Sequence, residues 1–95
     1  RCAVPRRRFP VKTELIIMNV MAEVIRAESL HPAWPRDVVK AASICAEECG
    51  ELVREANNHD ERKGSKKAMI TEAIHTAATA IRFLKNINEE DSIHE

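Results

Sequence analysis

Four glutamates are spaced so that a helix would present their carboxylates on one side. They lie within three helical turns, at Glu47, Glu48, Glu51 and Glu55. Residues three or four positions apart are neighbours on a helix surface, and each like-charged pair costs about 0.2–0.5 kcal/mol. A row of this kind is either a solvated acidic surface or one side of a site that binds cations.

A second polar stripe follows farther along the chain. Glu72 and His75 lie one helical turn apart among mostly apolar, small residues, and the stripe continues through Thr79, Arg82 and Asn86. If the two helices are antiparallel neighbours, both stripes face one groove. Carboxylates that converge there repel one another unless a cation joins them, and oxygen ligands suit hard divalent ions, above all Mg²⁺. Such ions bind phosphates and activate water.

Three helices are expected to position these residues. The apolar periodicity predicts them over residues 12–29, 36–58 and 66–86. Pro35 suits the first turn of the second helix, and Ser65 is the expected N-cap of the third. The fold class is therefore all-α, a helical hairpin preceded by an N-terminal helix. On the second helix, the side expected to face the core lies opposite the glutamates and comprises Val38, Val39, Ala42, Cys45, Ala46, Cys49, Leu52, Val53 and Ala56.

The whole chain, residues 1–95, is expected to form one domain with a helical core over 12–86. Two early prolines predict an irregular tail over residues 1–11, since proline disrupts a helix interior. Residues 87–95 are predicted to be a frayed acidic tail.

The first predicted helix is apolar on nearly every side. Four of its polar residues, Lys12, Asn19, Glu23 and Arg26, fall within one narrow stripe, and most of the other positions are apolar. A helix of this kind is covered on more than one side. In a chain of three helices this pattern predicts a homo-oligomer.

Charge and cysteine content narrow the functional classes. The 15 basic and 15 acidic residues give a net charge of zero, so there is no electrostatic case for nucleic-acid binding. No apolar run approaches the ~20 residues of a membrane span. The odd number of cysteines, 3, argues against a disulfide framework and indicates a cytoplasmic setting. Cys45 and Cys49, one helical turn apart, are either half of a metal site or small hydrophobic residues on the apolar side.

The acidic motifs together resemble the signature of the MazG-like, all-α nucleoside triphosphate pyrophosphohydrolases. That signature reads Glu-Glu-x-x-Glu, a variable gap, then Glu-x-x-Asp. This chain carries Glu47-Glu48-Cys49-Gly50-Glu51-Leu52 and later Glu72-Ala73-Ile74-His75. The glycine before the third glutamate and the leucine after it also resemble the family, and the resemblance covers about residues 21–84. His75 stands where the family has aspartate.

The resemblance implies an oligomeric four-helix-bundle-type fold, dimeric or tetrameric, that binds Mg²⁺. A metal-activated water would cleave nucleoside triphosphates between the α and β phosphates, releasing a nucleoside monophosphate and pyrophosphate. Glu48, Glu51 and Glu72 match the metal-binding positions, with Glu48 also expected to be catalytic. Glu47 matches a further catalytic position that holds a second metal or orients the water. Three roles are open for His75. It is either a metal ligand, better suited to Mn²⁺ than to Mg²⁺, or a contact to substrate phosphate, or an ordinary helix residue.

Other side chains are candidates for binding the substrate. Arg82 shares the stripe of Glu72 and either clamps phosphate in a bidentate manner or forms a surface ion pair. Lys66 and Lys67 either meet a polyphosphate tail at a helix N-terminus or form a solvated basic patch. Trp34 either stacks on a base or fills a gap in the packing.

Two rival functions use the same helices. In one, the protein binds nucleotide or metal without turnover, because His75 marks altered chemistry. In the other, the chain is a structural helical interaction module, and its glutamates are a solvated surface. A DNA reader is disfavoured, because the exposed side of the third helix is not basic.

Overall fold

The computed structural model describes the backbone of residues 3–94 and the side chains of residues 12–87. Within this part, the chain forms three α-helices and no strand: α1, Ala3–Leu30; α2, Val38–Asp60; and α3, Lys66–His94. The all-α prediction is therefore confirmed for the described part of the chain. No helix there is long and apolar enough to cross a membrane.

The outer helix ends differ from the predicted bounds. α1 begins at Ala3 rather than near Lys12, and α3 continues to His94 rather than ending near Asn86. Pro5 lies in the first turn of α1, where backbone amides have no intrahelical acceptor, so it costs the helix little. Pro10 removes one interior hydrogen bond without ending the helix. Once a helix has formed, each added backbone hydrogen bond requires the conformation of only one more residue to be fixed. Both helices therefore extend beyond their apolar pattern.

Side-chain caps set the inner helix ends. The Ser65 hydroxyl accepts the Ala68 amide hydrogen at 3.0 Å, which confirms the predicted N-cap of α3. Asp37 caps α2 by accepting from the Val39 amide at 3.1 Å. Because this cap starts α2 at Val38, Pro35 precedes the helix and does not lie in its first turn.

The helix α3 packs against both of the other helices. Glu23 and Glu28 of α1 meet His75 and Lys85 of α3, respectively, so these two helices run in the same direction. The short connection between α2 and α3 makes that pair antiparallel. Within the described residues α1 and α2 do not pack against each other. The site therefore has to form around α3.

The hydrophobic core is small. It centres on Val20 and Val24 of α1 and Ala78 of α3. The side of α2 that packs inward carries Ala41, buried, and the half-buried Ile44, Cys45, Glu48 and Leu52.

The predicted core-facing side of α2 is therefore wrong for much of its length. Val38, Val39 and Val53 are exposed, whereas Glu48 faces the other helices. The stripe of α2 that packs inward instead includes the carboxylate of Glu48, and an apolar stripe of α2 is left exposed.

Candidate metal centre

Three of the four predicted metal ligands come together. Glu48 of α2 and Glu72 and His75 of α3 each offer one ligand atom, and these atoms lie within 4.8 Å of one another. Glu72 and His75 share a face because they are one turn apart. Glu48 joins them because it lies on the packed side of α2. All three side chains are half-buried.

A threonine hydroxyl of α3 lies between α2 and α3 at the position of the two glutamates. The Thr76 hydroxyl oxygen lies 2.8 Å from the carbonyl oxygen of Glu72 and 3.2 Å from that of Glu48. It can donate to either carbonyl. Because one of these carbonyls belongs to α2, the hydroxyl links the backbones of the two glutamates.

The imidazole of His75 lies between two carboxylates. Its Nδ1 is 3.5 Å from Oε1 of Glu72, and its Nε2 is 3.5 Å from Oε2 of Glu23 on α1. The sequence placed Glu23 in the polar stripe of the first helix but did not assign it to the site. The signal for it was this stripe itself, a carboxylate on an otherwise apolar helix.

The surroundings of Glu48 raise the pKa of its carboxyl group, whereas those of Glu23 lower the pKa of its own. Burial raises the pKa of Glu48, and the nearby negative charge of Glu51 raises it further. The hydrogen bonds from Arg26, at 2.8 and 2.6 Å, lower the pKa of Glu23 and outweigh its partial burial. The fold therefore disfavours the ionised form of Glu48.

The donor set fits a divalent cation. Oε1 of Glu72 is buried and has no hydrogen-bond donor among the described residues. Two carboxylates and one imidazole then offer two hard oxygen donors and one nitrogen, a combination that Mn²⁺ tolerates better than Mg²⁺. A cation would also offset the repulsion that raises the pKa of Glu48.

A cavity of about 360 Å³ opens beside these residues, between the three helices and the connection from α1 to α2. This volume lies within the range of small-molecule pockets. Its lining combines acidic, basic and aromatic side chains, namely Glu23, Arg26, Trp34, Glu48, His75 and Arg82.

Arg82 is a buried, charged residue that lines this cavity. Its side chain is only 8 % exposed, its Nη2 donates to the His31 carbonyl at 2.6 Å, and its guanidinium carbon lies 5.0 Å from the ring centroid of Trp34. Its Nε has no acceptor among the described residues. Arg82 is therefore not in a surface ion pair, and Trp34 packs on it while also lining the cavity.

The remaining candidates lie apart from this cluster. Glu47 and Glu51 are exposed on α2, although Glu51 is close enough to raise the pKa of Glu48. Lys66 and Lys67 are exposed in the first turn of α3 and do not line the cavity beside the cluster.

The two described cysteines also lie outside the cluster. Cys45 is half-buried, and burial raises the pKa of its thiol, whereas Cys49 is exposed. A raised thiol pKa leaves Cys45 a weak metal ligand, so the interpretation as a small hydrophobic residue fits it better.

The geometry can hold a cation at one end of the cavity and an anion near the arginines. Comparisons with protein-family models, curated proteins and solved structures give no match for this chain.

Proposed function

We propose that this protein is a metal-dependent nucleoside triphosphate pyrophosphohydrolase. It would add water across the anhydride between the α and β phosphates, giving a nucleoside monophosphate and pyrophosphate. The observation that carries the proposal is the convergence of Glu48, Glu72 and His75 to within 4.8 Å of one another, beside a cavity lined by Arg82 and Trp34.

The acidic cluster supports a metal site of the Mg²⁺ or Mn²⁺ kind. Glu48, Glu72 and His75 would hold the cation, and Glu51, exposed on α2, adds negative charge nearby. When bound, such an ion offsets the charge of the polyphosphate and lowers the pKa of water. Glu47, which the family resemblance assigns to orienting that water, is exposed on α2 outside this cluster.

The opposite charges in the cavity support an anionic, partly aromatic substrate. Arg82 and Arg26 line the cavity with the carboxylates, and guanidinium groups recognise phosphate oxygens in a bidentate manner. Trp34 lines the same cavity, and an indole ring provides a surface on which a base stacks.

The proposal includes a second copy of the chain. Few hydrophobic side chains are buried within the described residues, at Val20, Val24, Ala41 and Ala78. By contrast, Met18, Met21 and Ile25 follow one face of α1 and are all exposed. A homo-oligomer of the four-helix-bundle type would cover this face.

The test is pyrophosphate release from a panel of nucleoside and deoxynucleoside triphosphates with Mg²⁺ or Mn²⁺. Glu48→Ala is expected to abolish turnover, because it removes one of two carboxylate donors. Glu61→Ala is the matched control, since Glu61 is exposed after the end of α2. Absence of turnover on the whole panel with both metals would contradict the proposal.

A second candidate is a nucleotide-binding protein without turnover on the same scaffold. The specific observation in its favour is His75, whose two ring nitrogens each face a carboxylate at 3.5 Å. An imidazole in this position can donate a hydrogen bond to a carboxylate without a metal. Thermal stabilisation by a nucleotide, with no pyrophosphate released, would single out this function. Ligand at 100 times its dissociation constant adds about 2.7 kcal/mol.

A further inference from the structure

A carboxylate from α1 lies against the imidazole of the proposed metal centre. Oε2 of Glu23 lies 3.5 Å from Nε2 of His75, and the negative charge of Glu23 contributes to the raised pKa of Glu48. The Glu23 side chain is only 15 % exposed. It therefore faces the same space as the residues of α2 and α3.

The chemistry of the cation calls for another oxygen donor. Mg²⁺ and Mn²⁺ prefer oxygen ligands, and the cluster of Glu48, Glu72 and His75 supplies carboxylates from two residues only. Among the residues lining the 360 Å³ cavity, Glu23 is the one carboxylate besides Glu48. It also lines the second cavity of about 310 Å³, so cations can approach it from either side.

An independent feature of the same cavity indicates that it holds a ligand. Arg82 is more than nine-tenths buried, lines the cavity, and has an Nε without an acceptor among the described residues. A buried donor without a partner is costly, and an anionic ligand would supply its acceptor. A cation near Glu23 and an anion near Arg82 together describe a metal-chelated polyphosphate.

We propose that Glu23 is a ligand of the bound cation, so that all three helices contribute to the centre. The inference rests on the proposed function, because it names a further ligand of that same metal site. In the metal-free protein Arg26 holds the carboxylate of Glu23 through two hydrogen bonds. Arg26 is 55 % exposed, so its guanidinium group can move into solvent when a cation takes its place on Glu23.

The first test measures Mn²⁺ binding to the full chain by titration calorimetry and by electron paramagnetic resonance. Glu23→Gln is expected to weaken binding by at least about tenfold, because even the loss of a group that only supports a ligand costs about that much. Glu28→Gln is the matched control, because Glu28 lies on the same helix but pairs with Lys85 at 2.7 Å. Its affinity should stay within about twofold of the unchanged protein.

The outcomes separate this inference from the proposed function. If the unchanged chain binds neither Mn²⁺ nor Mg²⁺, both are overturned. If it binds Mn²⁺ and Glu23→Gln binds equally well, Glu23 is not a ligand, whereas the proposed function stands.

A gain-of-binding variant distinguishes a ligand from a residue that only orients His75. Thiolates select soft metals, so Glu23→Cys is expected to raise Cd²⁺ affinity by at least about tenfold. It should also show a thiolate-to-cadmium charge-transfer band in the ultraviolet. Glu28→Cys, with the same native cysteines, should show neither change. If Glu23→Cys matches this control while circular dichroism shows it folded, the inference is overturned.

Discussion

Nη2 of Arg82 donates a hydrogen bond to the carbonyl oxygen of His31 over 2.6 Å, joining α3 to the residue that follows α1. The guanidinium group also lies against Trp34, 5.0 Å from its ring centroid. One buried side chain thus holds the connection between α1 and α2 against α3. The same connection forms part of the wall of the candidate substrate cavity.

Arg82→Lys is expected to destabilise the fold even though it keeps the charge. An ammonium group cannot reproduce the planar guanidinium that both bonds His31 and stacks on Trp34. The hydrogen bond to a charged group alone is worth about 1.5–3 kcal/mol. The free energy of unfolding, from urea denaturation followed by circular dichroism, should fall by that amount.

Arg54→Lys is the matched control for this substitution. The Arg54 side chain is 65 % exposed, and its ion pair with Glu55 is long, at 4.0 Å, so its replacement should change stability by less than about 0.5 kcal/mol. Equal effects of the two substitutions would show that the buried contacts of Arg82 contribute nothing.

Thr76→Val tests the link between the two glutamate-bearing helices. The substitution preserves the branched shape but removes the hydroxyl that lies 3.2 Å from the Glu48 carbonyl, which should cost about 0.5–1.5 kcal/mol in urea denaturation. Thr79→Val is the control, because that hydroxyl donates to the His75 carbonyl of its own helix. Its loss should be smaller, and a larger loss at Thr79 would contradict the proposed role of Thr76.

The sequence predicted the main cluster for a simple reason. Glu72 and His75 are one turn apart, so helical periodicity alone places them together. Glu48 was expected opposite them because the two helices are joined by a short connection. The first relationship is local and the second follows from the short connection, and both hold in the structure.

Two features of the sequence made competing predictions for α2, because the acidic motif placed Glu48 toward α3 and the apolar pattern placed the opposite side in the core. A pattern of apolar residues favours Val38, Val39 and Val53 as core, yet these are exposed and Glu48 is turned inward. Helical periodicity assigns every carboxylate to the polar, exposed side, even where the carboxylate faces another helix. The placement of Glu23 beside His75 was equally out of reach, because it depends on how α1 docks on α3.

Ile25→Glu is expected to disrupt the proposed homo-oligomer. Ile25 is 61 % exposed and shares a face of α1 with Met18 and Met21. An unpaired charge buried in an interface costs at least about 1.4 kcal/mol, which raises a dissociation constant at least tenfold.

Analytical ultracentrifugation over a range of concentrations measures this shift. Thr13→Glu, at an exposed position on another side of the same helix, introduces the same charge and should leave assembly unchanged. A chain that is monomeric at every concentration would contradict the proposed oligomer.

Glu48→Gln is expected to stabilise the metal-free protein at neutral pH. Burial raises the pKa of Glu48 above its ordinary value of 4.5, so the folded state favours the protonated form. The contribution of this group to stability is complete below the pKa of the unfolded chain and is lost as the pH rises through the raised pKa of the folded state. Glutamine stays neutral and avoids this loss.

Urea denaturation at a series of pH values tests the sign. The stability of Glu48→Gln minus that of the unchanged protein should grow as the pH rises above 4.5. At pH 7 it should reach at least about 0.2–0.5 kcal/mol, the repulsion of one like-charged pair on a helix such as Glu48 with Glu51. A difference that shrinks with rising pH would show that Glu48 is stabilised as a carboxylate by the metal-free fold.

Saturating Mn²⁺ should reverse this order of stability. The unchanged protein gains about 2.7 kcal/mol from a ligand at 100 times its dissociation constant, whereas Glu48→Gln, which has lost a carboxylate donor, gains less. The same carboxylate thus costs stability without the cation and contributes to it with the cation. Glu61→Gln, at an exposed position after α2, should respond to Mn²⁺ as the unchanged protein does. If Mn²⁺ stabilises Glu48→Gln as much as the unchanged protein, Glu48 does not hold the metal.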